Sequence, residues 1–130
     1  MSVIYYQKFS ENEVFADPLL NTSLNQLFTL LINILTEDIV IPNLIITGDV
    51  AQIMQGVDLT TTTAAVELIT DNKEIFNCIK SGYSNLNVSQ VIVNDAKVTM
   101  VINEKLIIVN FNPVKVESFD IYGIYVKSVK

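Results

Sequence analysis

The chain has 130 residues, half of them hydrophobic, and a formal net charge of −6. All eight cations are lysines and histidine is absent, which excludes Ser-His and Cys-His catalytic pairs and, with the negative charge, disfavours tight nucleic-acid binding. Polar residues interrupt every apolar run before the roughly 18 residues needed to cross a bilayer, so we expect no membrane span.

The first 20 residues predict an N-terminal arm, in which residues 3–6 favour a short edge strand or a docking segment. Ser23 and Gln26 have the spacing of a capping box, and the apolar residues after them predict a helix to about Glu37. Pro42 and Asn43 then punctuate the chain, and the short apolar run 44–47 predicts a buried strand.

The middle of the chain predicts a short helix over 49–55, a strand over 60–70 and a helix over 73–81. Asp71 and Asn72 are favoured residues for capping the second of these helices, and Gly82 for ending it. Cys78 has no partner for an intrachain disulfide, and its apolar surroundings favour a buried thiol over a reactive one.

The last third is rich in valine and isoleucine, which predicts strands over 88–93, 97–102, 105–111 and 121–129. Polar pairs at 94–95 and 103–104 favour tight turns between antiparallel strands. We therefore expect one α+β domain, a small mixed β-sheet backed by about three helices. Its parts are the arm 1–20, an α/β core 21–112 and a C-terminal strand within 113–130.

Charge is distributed unevenly along the chain. Residues 1–72 hold one lysine and nine acidic residues, whereas residues 73–130 hold seven lysines and five acidic residues. One interpretation is a solvated acidic face. The other is head-to-tail association of copies, the acidic half of one meeting the lysine-bearing half of the next.

One segment resembles the signature of the minimal nucleotidyltransferase fold. The sequence ITGDVA over 46–51 is followed by Gly56 and by TTAAVELIT over 62–70. In that family a glycine turn and a short helix precede a strand whose Asp-x-Asp holds magnesium and a nucleoside triphosphate. The resemblance covers Ile46 to Thr70 by motif and about residues 22–112 by element order, and it implies a nucleotidyltransferase-like fold.

The catalytic carboxylates of this pattern are largely missing. Ala65 takes the place of the first metal-binding aspartate, Glu67 matches the second, and the strand 97–102, where a third would lie, has no acid. Gly48 keeps the turn, but Asp49 replaces a small residue that contacts the triphosphate, and its charge would repel phosphate. One carboxylate is too few for two-metal phosphoryl transfer, so we expect no catalytic residue, no bound metal and no cofactor.

Tyrosines lie near both ends of the chain, at Tyr5, Tyr6, Tyr122 and Tyr125. Without surrounding cations, they favour anchoring the termini against a sheet or a neighbouring subunit over stacking on nucleic-acid bases.

These features predict a non-catalytic structural subunit that forms homo-oligomers within a larger assembly, because so apolar a small domain leaves surface for partners. The specific hypothesis is a ring or adaptor component of a tailed bacteriophage virion. The alternative is a small cytoplasmic nucleotidyltransferase-like enzyme or toxin-antitoxin component that binds nucleotide through Gly48 and Glu67. A third possibility is an accessory protein with one specific partner.

Overall fold

A computed structural model of the chain describes residues 18–55, 65–121 and 124–127. The described part is α+β, as predicted, with a seven-stranded mixed sheet and four α-helices. The helices are α1 (Pro18–Ile34), α2 (Glu37–Asn43), α3 (Gly48–Met54) and α4 (Lys73–Gly82), and a 3-10 turn (Tyr83–Asn85) follows α4. The strands are β1 (Ile45–Thr47), β2 (Ala65–Thr70), β3 (Val88–Val93), β4 (Lys97–Ile102), β5 (Lys105–Phe111), β6 (Ser118–Ile121) and β7 (Ile124–Lys127).

The strands lie in the order β3-β4-β5-β2-β1-β7-β6. Of the four strands predicted as an antiparallel series in the last third of the chain, three form a meander, because β3, β4 and β5 pair antiparallel, whereas β7 lies apart from them beside β1. The second turn of the meander places Asn103 and Glu104 at φ 50° and 69°, the left-handed backbone of a tight hairpin turn. The middle of the sheet is mixed, since β2 pairs antiparallel with β1 and parallel with β5.

The core lies between one face of the sheet and the helices. Alternate strand residues point into it, and α1, α3 and α4 contribute apolar side chains to the same cluster. Its largest fully buried side chains include Phe28 of α1 and Phe76 of α4. Cys78 packs against this cluster but is only half-buried.

We call the face of the sheet that points away from this core the open face. On β2 to β5 it carries the residues that alternate with the core positions, and none of their apolar side chains belongs to the core cluster. The strand register places them in rows, one of which runs Ile92, Thr99, Ile108, Glu67 and Thr47. This row passes through the predicted site.

The predicted cap at Ser23 is wrong. α1 already begins at Pro18, a residue favoured at the first helical position, so Ser23 lies inside the helix. Its hydroxyl is fully buried and donates a hydrogen bond to the carbonyl of Ile102 at 2.7 Å. The Oε1 atom of Gln26 accepts no hydrogen bond within the described structure, so no capping box forms.

The helix predicted to continue to Glu37 is interrupted near Leu35. Thr36 has an extended backbone and its Oγ1 accepts a hydrogen bond from the Ile39 amide at 3.3 Å, so it caps a second helix. Acidic residues in the first turn of that helix favour its dipole. Pro42 lies inside the last turn of this helix, and Leu44 follows as its C-cap instead of opening the strand.

The strand predicted over 121–129 corresponds to β7, while β6 precedes it as a separate strand. β7 pairs antiparallel with β6 and parallel with β1, at Ile46 and Val126. The helix 73–81 and its Asn72 cap are confirmed. The predictions for Gly56, the threonine run and the arm residues up to 17, with Tyr5 and Tyr6, lie outside the described residues, as does Tyr122.

Candidate functional site

The turn from β1 into α3 lies beside the middle of β2. Thr47 ends β1 directly opposite Glu67, and its Oγ1 donates a 3.4 Å hydrogen bond to the Glu67 carbonyl. The pairing fixes the end of β1 against β2. The Glu67 side chain therefore lies at the point where the backbone turns into the helix.

Gly48 and Glu67, both predicted as site residues, are in contact. Gly48 has φ 69°, a backbone conformation that glycine adopts readily and other L-residues adopt at a cost. A Cβ built on Gly48 would overlap Oε2 of Glu67 and lie 3.3 Å from its Cδ. The carboxylate thus lies over the glycine backbone at the start of α3.

Ala65 lies on the same face of the sheet as Glu67, whereas Asp49 lies exposed in the first turn of α3. Ala65 lies two residues before Glu67 on β2 and shares the open face, as the spacing predicted. Asp49 is exposed in the first turn of α3, where its charge favours the helix dipole. The structure brings Gly48, Ala65 and Glu67 to one region of the sheet.

The neighbouring strands add no carboxylate to this region. Glu67 lies opposite Ile108 on β5, and Ile108 lies opposite Thr99 on β4. On the open face of β2 to β5, Glu67 is the single acid and Lys97 the single cation of the described residues. A second carboxylate beside Glu67 would have to come from outside those strands.

The described residues show neither a cluster of metal-binding side chains nor a membrane-spanning helix. Among residues 18–55, 65–121 and 124–127, no three histidine, cysteine, aspartate or glutamate residues are placed to hold a metal ion together. No helix of this part of the chain is long and apolar enough to cross a membrane.

Tyr125 is half-buried on β7 and lines a cleft of about 600 Å³ next to the loop before β6. The cleft is lined by Pro42, Lys115, Val116, Glu117, Ser118, Phe119 and Tyr125. Its mixed lining combines two aromatic rings with charges of both signs. Of the four tyrosines predicted as interface residues, Tyr125 is the one that the structure describes.

Sequence reasoning missed the exposed apolar residues at the two edges of the sheet. Ile92 is 63% exposed and Val93 40% exposed on β3, and Phe119 is 41% exposed on β6. The uncharged sequence VSQVIV is typical of a central strand, because edge strands usually carry a charge or a proline, so only the strand order shows that β3 lies at an edge.

No family model, curated protein or solved structure matches this chain. A mixed sheet with helices occurs in many unrelated α+β proteins, so the nucleotidyltransferase resemblance stays a prediction.

Proposed function

We propose that this chain is a non-catalytic structural subunit that self-associates within a larger assembly. The observation that carries the proposal is the composition of the open face around Glu67. Two divalent ions about 4 Å apart need several converging carboxylates. Among the described residues, Glu67 lies between Ile108 of β5 and Thr47 of β1, with Ala65 two residues before it on β2, and none of these neighbours is a carboxylate.

The exposed apolar side chains support the part of the proposal that concerns assembly. Both edge strands of the sheet carry large apolar residues at 40% exposure or more. Their contact with another chain would remove this surface from water. The specific form of the proposal is a ring or adaptor component of a tailed bacteriophage virion, whose acidic surface would repel passing DNA.

The alternative is a nucleotidyltransferase-like enzyme or toxin-antitoxin component. The contact between Gly48 and Glu67 favours it, because the resemblance implies that these two residues contact nucleotide and metal. The two proposals differ in whether the site binds a nucleotide at all.

Calorimetric titration with ATP and magnesium tests the site. We expect no saturable heat from the natural chain and none from Glu67→Ala. Saturable binding that disappears in Glu67→Ala would overturn the non-catalytic proposal. Ala65→Asp is a matched variant: if the scaffold is related to the enzymes, a second carboxylate on the same face should increase the affinity for manganese.

Native mass spectrometry and affinity purification from the native source test the assembly. We expect oligomers of this chain, and virion proteins among those that copurify with it. A chain that stays monomeric at every concentration and copurifies with no structural protein would contradict the proposal.

A further inference from the structure

Among the strands that the structure describes, β3 forms one edge of the sheet and has a neighbour, β4, on one side. Its six residues, VSQVIV, include no charge, proline or glycine. Natural edge strands are usually protected by such residues or are very short. The one irregularity of β3 is a bulge between Val88 and Gln90, so the strand is regular from Gln90 onward.

The hydrogen bond at the hairpin turn defines which backbone groups of β3 are free. The Asn94 amide donates to the Lys97 carbonyl at 2.8 Å. Hydrogen-bonded pairs alternate along an antiparallel ladder, so Ile92 also bonds to β4. The N–H and C=O groups of Val91 and Val93 therefore point away from β4, towards the free edge.

The side chains at this edge are apolar on both faces of the sheet. Ile92 lies on the open face and is 63% exposed, whereas Val93 lies on the core face and is 40% exposed. Val91 packs partly against the core. A strand added at this edge would cover apolar side chains and satisfy the free backbone groups together.

We propose that β3 pairs antiparallel with β3 of a second copy of this chain, about a two-fold axis that passes between the two Ile92 residues. The proposal rests on the proposed self-association. In this register Val91 of each copy lies opposite Val93 of the other. Each of these two pairs exchanges two backbone hydrogen bonds, so the contact contains four. The two Ile92 residues form the closely spaced pair between them.

Three observations favour a second copy as the occupant. The register is self-complementary, because the residues with free groups, Val91 and Val93, are symmetric about Ile92. The strand is neutral in a chain of net charge −6, so two copies meet there with little repulsion. The paired residues 90–94 avoid the bulge, and they place Gln90 opposite Asn94, two uncharged amide side chains that can both donate and accept hydrogen bonds.

The other edge suits this contact less well. β6 has four residues and includes Asp120, so two copies paired there would bring carboxylates close together. A two-fold contact closes after two copies. A larger ring would therefore use the β3 dimer as its unit and join the units by a second surface.

Disulfide trapping tests the register. Ile92→Cys and Val93→Cys are each made in a Cys78→Ser background and oxidised at equal concentration. Paired Ile92 positions have Cα atoms about 4.5 Å apart, within the range of a disulfide. Two Val93 positions lie diagonally, about 7–8 Å apart, beyond that range. We expect the Ile92→Cys variant to form a cross-linked dimer and the Val93→Cys variant to form none.

Sedimentation of charged variants tests the surface. Ile92→Lys should shift the chain from dimer to monomer, because it places two ammonium groups opposite each other, while Phe119→Lys on the other edge should leave the dimer intact. Circular dichroism checks that both variants are folded. Equal cross-linking of the two cysteine variants, or none, would overturn the register.

The outcomes separate this inference from the proposed function. Oligomers that persist in Ile92→Lys, with no cross-link in Ile92→Cys, would refute the β3 contact and leave the assembly proposal standing. A natural chain that is monomeric at all concentrations, and alone when purified from its source, would refute both.

Discussion

Substitution of Gly48 by alanine tests the geometry at the start of α3. Gly48 has φ 69°, and an L-residue in the left-handed region costs about 1–2 kcal/mol. The added methyl would also overlap Oε2 of Glu67. Because Glu67 is exposed, its carboxylate can rotate into water, and most of the destabilisation should come from the backbone.

We therefore expect Gly48→Ala to lower the free energy of unfolding by about 1–2 kcal/mol. In urea, where small domains lose about 1–3 kcal/mol per molar denaturant, the midpoint should fall by roughly 0.5–1 M with an unchanged slope. The double variant Gly48→Ala, Glu67→Ala should regain only a few tenths of a kcal/mol of the lost unfolding free energy, because the overlap with the carboxylate contributes little to the loss.

Gly82→Ala is the matched control. Gly82 has φ −107°, and a Cβ there would lie 3.4 Å from Cδ2 of Leu30, an ordinary contact. We expect a change below about 0.5 kcal/mol. If Gly48→Ala is no more destabilising than Gly82→Ala, the backbone argument is refuted. Full recovery in the double variant would assign the effect to the carboxylate alone.

Three other predictions follow from contacts described above. Ser23→Ala removes a buried hydrogen bond to the Ile102 carbonyl, which also lies in the β4–β5 ladder, and should lower the free energy of unfolding by about 0.5–1.5 kcal/mol, whereas Ser81→Ala, at an exposed hydroxyl, should change little; equal effects in urea unfolding would contradict this. Glu104→Gly relieves a positive φ and should raise the free energy of unfolding by about 0.5–1 kcal/mol, and a lower value would argue against the turn geometry. Burial and, to a lesser extent, the nearby Glu74 carboxylate raise the pKa of the Cys78 thiol. Iodoacetamide should therefore alkylate Cys78 more slowly than the cysteine of a free peptide, and the rate should increase with pH and in the Glu74→Gln variant. A rate equal to that of the peptide would refute this.

The meander could be predicted because its signals are local. Dense valine and isoleucine define the three strands, and Asn103 with Glu104 forms the turn in the register that the alternation requires. α4 was predictable for the same reason, since Asn72 caps the helix that immediately follows it.

The errors arose where two local signals competed or where distant residues met. Pro18 was assigned to the N-terminal arm 1–20, although proline is also favoured at the first turn of a helix. Thr36 was read as helix interior, although a threonine before two acids is also a cap. The bond from Ser23 to Ile102 joins residues 79 positions apart, which no local pattern encodes.

The candidate site was predicted in part. The spacing placed Ala65 and Glu67 on one face of β2, and the structure agrees. The contact between Glu67 and Gly48 depends on the pairing of β1 with β2 across α3, so it required the structure. The apolar edge at Ile92 depends on strand order, which alternation alone does not determine.

The strand order also affects how the chain folds during synthesis. β3, β4 and β5 are joined by tight turns, but the parallel pairing of β2 with β5 must close the segment between Thr70 and Lys105. The centre of the sheet therefore cannot form on the ribosome until β5 has been translated. A nascent chain stalled before Lys105 would hold β2 without β5, and the unpaired strand would be exposed to association with other chains until translation resumed.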